Sequence, residues 1–164
     1  MTTSNETTKL VVCFSLTGNT RLVAKTMAKE INADYAEIVP LKQYPLRGAY
    51  LYIKGGKEAV FKSEPALEEG TVRYEDYDLI IVGTPVWAGT MAPPLRTFLK
   101  SPALRGKKLF LFCTHGSGPG SCLRDMREIA QGEVVGDCDF HMGRKAAAES
   151  IGQAKILGNK LRER

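Results

Sequence analysis

The stretch KLVVCFSLTGNT, Lys9 to Thr20, decides how the rest of the chain is read. Its first half, Lys9–Phe14, is a short apolar run of strand length, the pattern of a strand covered on both faces. Its second half, Ser15–Thr20, contains Ser, Thr, Gly and Asn. Beyond it Leu22, Val23, Met27 and Ile31 recur at helical spacing, which predicts a helix from about Thr20 to Ile31. A strand that turns into a helix N-terminus presents unpaired N–H groups and the positive end of the helix dipole, a setting that favours an anion. The hydroxyls of Ser15, Thr17 and Thr20 and the amide of Asn19 add donors, and Gly18 permits a tight turn. The loop contains no lysine, so a phosphate there is held by neutral donors.

Two other phosphate chemistries do not fit. The G-x-x-x-x-G-K-[S/T] signature of nucleotide-hydrolysing loops is absent. A small tyrosine phosphatase needs a cysteine with an arginine five residues later, whereas seven residues separate Cys13 from Arg21, and Cys13 lies inside the strand. Ordinary helix capping by Ser, Thr and Asn stays open as the alternative reading of this loop.

Working outward, apolar strand-like runs alternate with amphipathic segments, the signal for a parallel sheet covered by helices. Further strands are expected near Tyr35–Val39, at Asp78–Gly83, at Lys108–Cys113 and around Val134–Phe140. Further helices are expected after Pro93-Pro94 to about Lys100, over Ser121–Gln131, and from Arg144 to about Leu161. Ala49–Phe61 is a weaker candidate helix, because Gly55-Gly56 interrupts it.

In an open parallel sheet, ligands bind beyond the carboxyl ends of the strands. Two more loops therefore matter: Thr84-Pro85-Val86-Trp87-Ala88-Gly89 and Thr114-His115-Gly116-Ser117-Gly118. Trp87, the single tryptophan, either packs or covers the face of a flat aromatic ligand. Gly116, Gly118 and Gly120, with Asp137 downstream, resemble a dinucleotide turn. Ser121 stands where a final Gly or Ala is wanted, however, and the turn follows the fourth strand rather than the first. His115 is either a functional ring or a hydrogen-bonding loop residue.

The chain has 164 residues, expected to form a lead-in over 1–8 and one domain over 9–164. The net charge is +5, from 23 basic and 18 acidic residues. Six basic and two acidic residues fall in the last 24, so the excess reads as the solvated face of a terminal helix rather than a nucleic-acid stripe. No apolar run is long enough to span a bilayer and the N-terminus lacks a signal core, so a cytoplasmic protein without membrane contact is expected. Cys13, Cys113, Cys122 and Cys138 form no C-x-x-C pair, so neither a metal site nor a dithiol is suggested. Cys13 and Cys113 read as buried; Cys122, placed in a loop, reads as the thiol open to oxidation.

Taken together, these motifs resemble the flavodoxin family over essentially Lys9 to Leu161. Ser15–Thr20 is similar to its S-x-T-G-N-T phosphate loop, Thr84–Gly89 to its second flavin loop and Thr114–Gly118 to its third. The resemblance implies a three-layer, doubly wound α/β fold with five parallel strands in the order 2-1-3-4-5, and one non-covalently bound FMN. It implies that Ser15, Thr17, Gly18, Asn19 and Thr20 hold the 5′-phosphate. Pro85, Val86, Trp87, Ala88 and Gly89 would line one side of the isoalloxazine, and His115, Gly116, Ser117 and Gly118 would meet its pyrimidine end. A carbonyl near Ala88–Gly89 would accept a hydrogen bond from reduced N5–H. The chain departs from the acidic electron carriers of the family in being basic and in lacking a tyrosine in the third loop. It also carries Lys42, Arg47, Lys54, Lys57 and Lys62 in its second connection. The expected role is electron transfer with a protein redox partner. The alternatives are an NAD(P)H oxidoreductase with a small electron acceptor such as a quinone, and a non-redox binding module. A monomer and a homodimer are both compatible. The aromatic stretch Tyr44–Phe61 would cover the sheet, shield the flavin edge or form a dimer contact.

Overall fold

A computed structural model describes residues 7–44, 56–70 and 72–162. The sheet is built from β1 (Lys9–Cys13), β2 (Asp34–Glu37), β3 (Leu79–Trp87), β5 (Lys108–His115) and β6 (Glu133–His141), ordered β2-β1-β3-β5-β6 and all parallel. Numbered without the two-residue β4 (Thr90–Met91), this is the expected 2-1-3-4-5 order. β4 is an addition: it folds back antiparallel on the end of β3, pairing Val86 with Met91 and Trp87 with Thr90. The helices are α1 (Asn19–Ile31), α2 (Pro93–Leu99), α3 (Cys122–Ile129) and α4 (Ala147–Arg162).

Side-chain alternation along the strands makes two cores, one on each face. Leu10, Val12, Ile80, Val82, Leu109 and Leu111 pack beneath α2 and α3 with Leu95, Phe98, Leu99 and Met126. Val11, Cys13, Leu79, Ile81, Phe110 and Phe112 pack beneath α1 and α4 with Val23, Met27, Ile31, Ala154 and Leu161. Leu22 faces outward instead, although its spacing fits the apolar stripe of α1.

Several boundaries move. β3 and β5 run beyond Gly83 and Cys113, because Thr84 pairs with Cys113 and Pro85 with Thr114. Much of the second loop is thus strand, closed by a two-residue turn at Ala88 and Gly89, both with positive φ (49° and 78°), as a tight hairpin requires. α4 begins at Ala147, because residues 143–146 form a turn. A register shift between Leu109 and Phe110 marks a bulge against β6. Thr8, assigned to the lead-in, is tied down: its N–H and hydroxyl donate to Asp78 Oδ2 at 2.9 and 3.0 Å, and its carbonyl accepts from Asp78 N–H.

Residues 56–60 are helical, and the rest of the Ala49–Phe61 candidate helix lies outside the described residues. Within the aromatic stretch, Tyr44 is buried and Phe61 is 79% exposed. Leu46, Tyr50, Leu51 and Tyr52 lie outside the described residues. No helix among the described residues is long and apolar enough to cross a membrane.

Candidate functional site

β1 ends at the sheet's carboxyl edge between β2 and β3, so its loop opens where the strand order reverses. Gly18 is the N-cap of α1, with φ at 103°, a conformation that favours glycine. Arg21 N–H donates to Ser15 Oγ at 3.2 Å and Leu22 N–H to the Gly18 carbonyl at 2.9 Å. The N–H groups of Thr17, Gly18, Asn19 and Thr20 donate to no acceptor among the described residues, and the first turn of α1 holds no acidic side chain. Gly18 offers no side-chain cap, and Ser15 takes only the Arg21 N–H. Four donors are thus left at the positive end of α1, a setting that suits an anion.

An open cleft of about 470 Å³ lies over this loop. Ser15, Thr17, Asn19 and Thr20 line it from the first loop. Pro85, Val86, Trp87 and Ala88 line it from the second, and Thr114, His115 and Gly116 from the third. Gly18, Gly89, Ser117 and Gly118 lie in the same three loops but do not line it. Thr84 is fully buried, and its hydroxyl donates to the Pro85 carbonyl and accepts from Ala92 N–H, which makes it a strut for the hairpin. Leu16, Gly56 and Met142 also line the cleft and were not singled out by the sequence reading.

Trp87 packs, as one of its two readings has it, and it also faces the cleft. Its ring sits edge-on to Phe14 at 5.6 Å and to Tyr44 at 5.2 Å. The indole is thus held from behind by two aromatic rings. Tyr44 is fixed in turn by donating to Glu58 Oε2 at 2.9 Å.

Hydrogen bonds join the three loops. Thr20 Oγ1 and Thr114 Oγ1 lie 2.7 Å apart, linking the first to the third. Ser121 N–H donates to the Gly89 carbonyl at 2.7 Å, linking the third to the second. Of the carbonyls near Ala88–Gly89, that of Gly89 thus already accepts a hydrogen bond within the chain. Asp125 completes this link, accepting from Thr90 and Ser121 hydroxyls at 2.6 Å each. Burial alone would raise the Asp125 carboxyl, but these donors, with Arg124, hold it below the usual range. At Gly120, φ is 56° and a Cβ would come within 2.3 Å of the Gly89 carbonyl oxygen.

Behind the first loop, Arg21 grips Glu37 with two bonds of 2.6 and 2.9 Å, and Tyr35 donates to the same carboxylate at 2.8 Å. The Arg21 bond is the largest influence keeping the Glu37 carboxyl below its ordinary range. Burial pushes the Cys13 thiol up to about 12, which agrees with an inert core cysteine and removes the phosphatase reading on chemical grounds.

Two expectations are corrected. Cys122 is not in an open loop: it begins α3, is fully buried, and its thiol meets Met126 Sδ at 3.8 Å. Asp137 does not serve a dinucleotide turn. It pairs with Leu111 midway along the edge strand β6, and its carboxylate is held by Arg127.

The fold and cleft define an open parallel α/β protein whose first loop presents unpaired N–H donors at the switch point of its sheet. A model of the flavodoxin family matches residues 8–151, and the chain belongs to that family. Among solved structures, it is similar to a flavoprotein from Lactobacillus acidophilus NCFM crystallised in complex with FMN. Identity there is 22% over 81% of this chain and 93% of that one, with a TM-score of 0.72. A WrbA-like flavodoxin from Agrobacterium tumefaciens is 18% identical over 96% of both chains, with a TM-score of 0.66. Two-electron reduced flavodoxin from Megasphaera elsdenii is 17% identical over 95% of this chain and 99% of that one, with a TM-score of 0.59. These likenesses concern the fold.

Proposed function

We propose that this chain holds one FMN non-covalently in the cleft and transfers electrons between redox partners through it. The observation that carries this reading is the row of unpaired N–H groups from Thr17 to Thr20, which opens into the same cleft as Trp87. A phosphate and a flat aromatic ring on one small molecule match those two features. The solved relative with FMN shares the fold that creates both.

In this reading Ser15, Thr17, Gly18, Asn19 and Thr20 hold the 5′-phosphate. Pro85, Val86, Trp87, Ala88 and Gly89 form the wall beside the isoalloxazine. Thr114, His115, Gly116, Ser117 and Gly118 form the wall at its pyrimidine end, and Leu16 and Met142 add apolar lining. FMN supplies the redox chemistry; the chain binds it, orients it and limits water at its edge. The dianionic phosphate meets no lysine in the first loop, so helix N–H groups and hydroxyls carry its stabilisation.

The test uses the single tryptophan. FMN added to the ligand-free protein is expected to quench Trp87 emission to saturation at one equivalent, and the complex to keep its flavin absorbance through gel filtration. A protein that shows neither does not bind FMN in this cleft.

A second reading, an FMN-dependent NAD(P)H oxidoreductase passing electrons to a quinone, is favoured by one observation. The third loop offers no aromatic ring free to cover the outer flavin face, because both His115 nitrogens are engaged within the protein. Turnover of NAD(P)H with a quinone separates the two readings. So does the Nernst slope of a potentiometric titration, about 59 mV for one-electron and about 30 mV for two-electron steps.

A further inference from the structure

The only two histidines of the chain stack on one another beside the cleft, with ring centroids 5.4 Å apart and planes 15° from parallel. His115 ends β5 and His141 ends β6, and the two are partners in the ladder. His115 Nδ1 accepts from Gly118 N–H at 2.9 Å, so that nitrogen carries no proton. The ring proton sits on Nε2, which donates to Asp139 Oδ2 at 2.8 Å. His141 Nε2 donates to the Gly116 carbonyl at 2.8 Å, and the His115 carbonyl accepts from Met142 N–H at 2.7 Å. Asp139 and His141 do not line the cleft, yet each is bonded to a residue that does.

We infer that Asp139 and His141 are positioning residues of the cleft: they hold the Thr114–Gly118 wall in its ligand-ready shape through a neutral His115, and a proton on His115 Nδ1 releases that wall. The effect on affinity rests on the reading of the cleft as an FMN site; the effect on the wall does not.

The argument is one of donors and acceptors. A proton on Nδ1 turns the acceptor of Gly118 N–H into a second donor, so the bond is lost and two positive ends face each other. The groups that face the ring are the Asp139 carboxylate at Nε2 and the stacked His141 ring, with Arg144 and Lys145 on the turn that follows. From α4 the contact is uncharged: the Ser150 hydroxyl donates to the His141 carbonyl at 2.8 Å. His141 keeps its own bond in either state, since Nε2–H donates whether the ring is neutral or charged. The switch is therefore His115.

Histidine is the side chain whose charge changes between about pH 8 and about pH 5.5. Over that interval FMN binding is expected to weaken roughly three- to tenfold, the effect of one hydrogen bond. His115→Asn keeps an acceptor near the Nδ1 position but takes up no proton. Whatever its absolute affinity, its ratio between the two pH values is expected to fall below that of the parent, leaving only the part due to the phosphate's own ionisation. Asp139→Asn keeps an acceptor for Nε2–H, so the wall is expected to stay in place.

The direct readout needs no ligand: in the FMN-free protein, the Gly118 amide resonance and its hydrogen exchange follow the titration of the His115 ring by NMR. A Gly118 amide that ignores that titration overturns the inference, as does a His115→Asn protein with the wild-type pH ratio. If the amide follows the ring while FMN fails to bind at any pH, the histidine device stands and the FMN reading fails.

Discussion

Thr20 and Thr114 share a hydrogen bond of 2.7 Å between hydroxyls that are almost wholly buried, one at the start of α1 and the other near the end of β5. This bond joins the anion loop to the third wall of the cleft. Replacing one partner strands the other. Thr20→Val or Thr114→Val is expected to cost about 1–2 kcal/mol of stability, as a buried hydroxyl left without a partner does. The double variant should cost less than the sum, because no orphan remains. Chemical denaturation of the four proteins of the cycle checks this.

Asp125 ties the second loop to the third through Thr90 and Ser121. Asp125→Ala is expected to lose about 1–2 kcal/mol and to weaken FMN binding, with Asp125→Asn between it and the parent. The pH dependence has a definite sign. The folded-state carboxyl is held below its ordinary range, so its contribution is complete above that range and is lost as pH falls through the depressed value. Denaturation at neutral and acidic pH should show the gap between parent and Asp125→Ala closing in acid.

The Arg21–Glu37 pair is bidentate, but its side chains are 38% and 30% exposed, so solvent discounts it. Glu37→Gln is expected to cost only about 0.5–1 kcal/mol at neutral pH, a cost that shrinks with added salt and vanishes once acid protonates Glu37 in the parent. A larger, salt-independent loss would show that the carboxylate holds α1 by some other means.

Gly120 and Gly89 both have positive φ, yet they differ in the space around them. A Cβ at Gly120 would strike the Gly89 carbonyl oxygen at 2.3 Å, whereas one at Gly89 meets nothing within 4 Å. Gly89→Ala should therefore cost only backbone strain, about 1–2 kcal/mol. Gly120→Ala should cost more, since the second and third loops must also separate. Comparing the midpoints of thermal unfolding separates strain from contact.

The first loop was legible because everything that shapes it is local: a strand-length apolar run, a glycine turn and a helical stripe within Lys9–Ile31. The ends of β3 and β5 were not, because Thr84 and Pro85 become strand only by pairing with Cys113 and Thr114, far along the chain. Pro85 has no N–H to give to a ladder. β1 ends opposite Gly83, however, so at Pro85 one side of β3 has no neighbour and a residue without an N–H is tolerated there. Met142 was within reach, because the loop after the last strand also ends at the carboxyl edge where ligands bind. Gly56 was not, because it arrives through a long connection whose path local pattern does not determine. The roles of Asp139 and His141 depend on a cross-strand pairing and the direction of two rings, which no local spacing encodes.

β6 closes one side of the sheet, and among the described residues only β5 pairs with it. Nine residues of strand with an unpaired flank form a template on which another chain could add by its backbone alone. The means of discouraging that are built in: Asp137 and Asp139 lie along the strand, and the bulge opposite Leu109 and Phe110 bends it away from flatness. The carboxylate that orients His115 thus also guards the border of the sheet, and a chain stripped of both aspartates would risk self-association before it lost its fold.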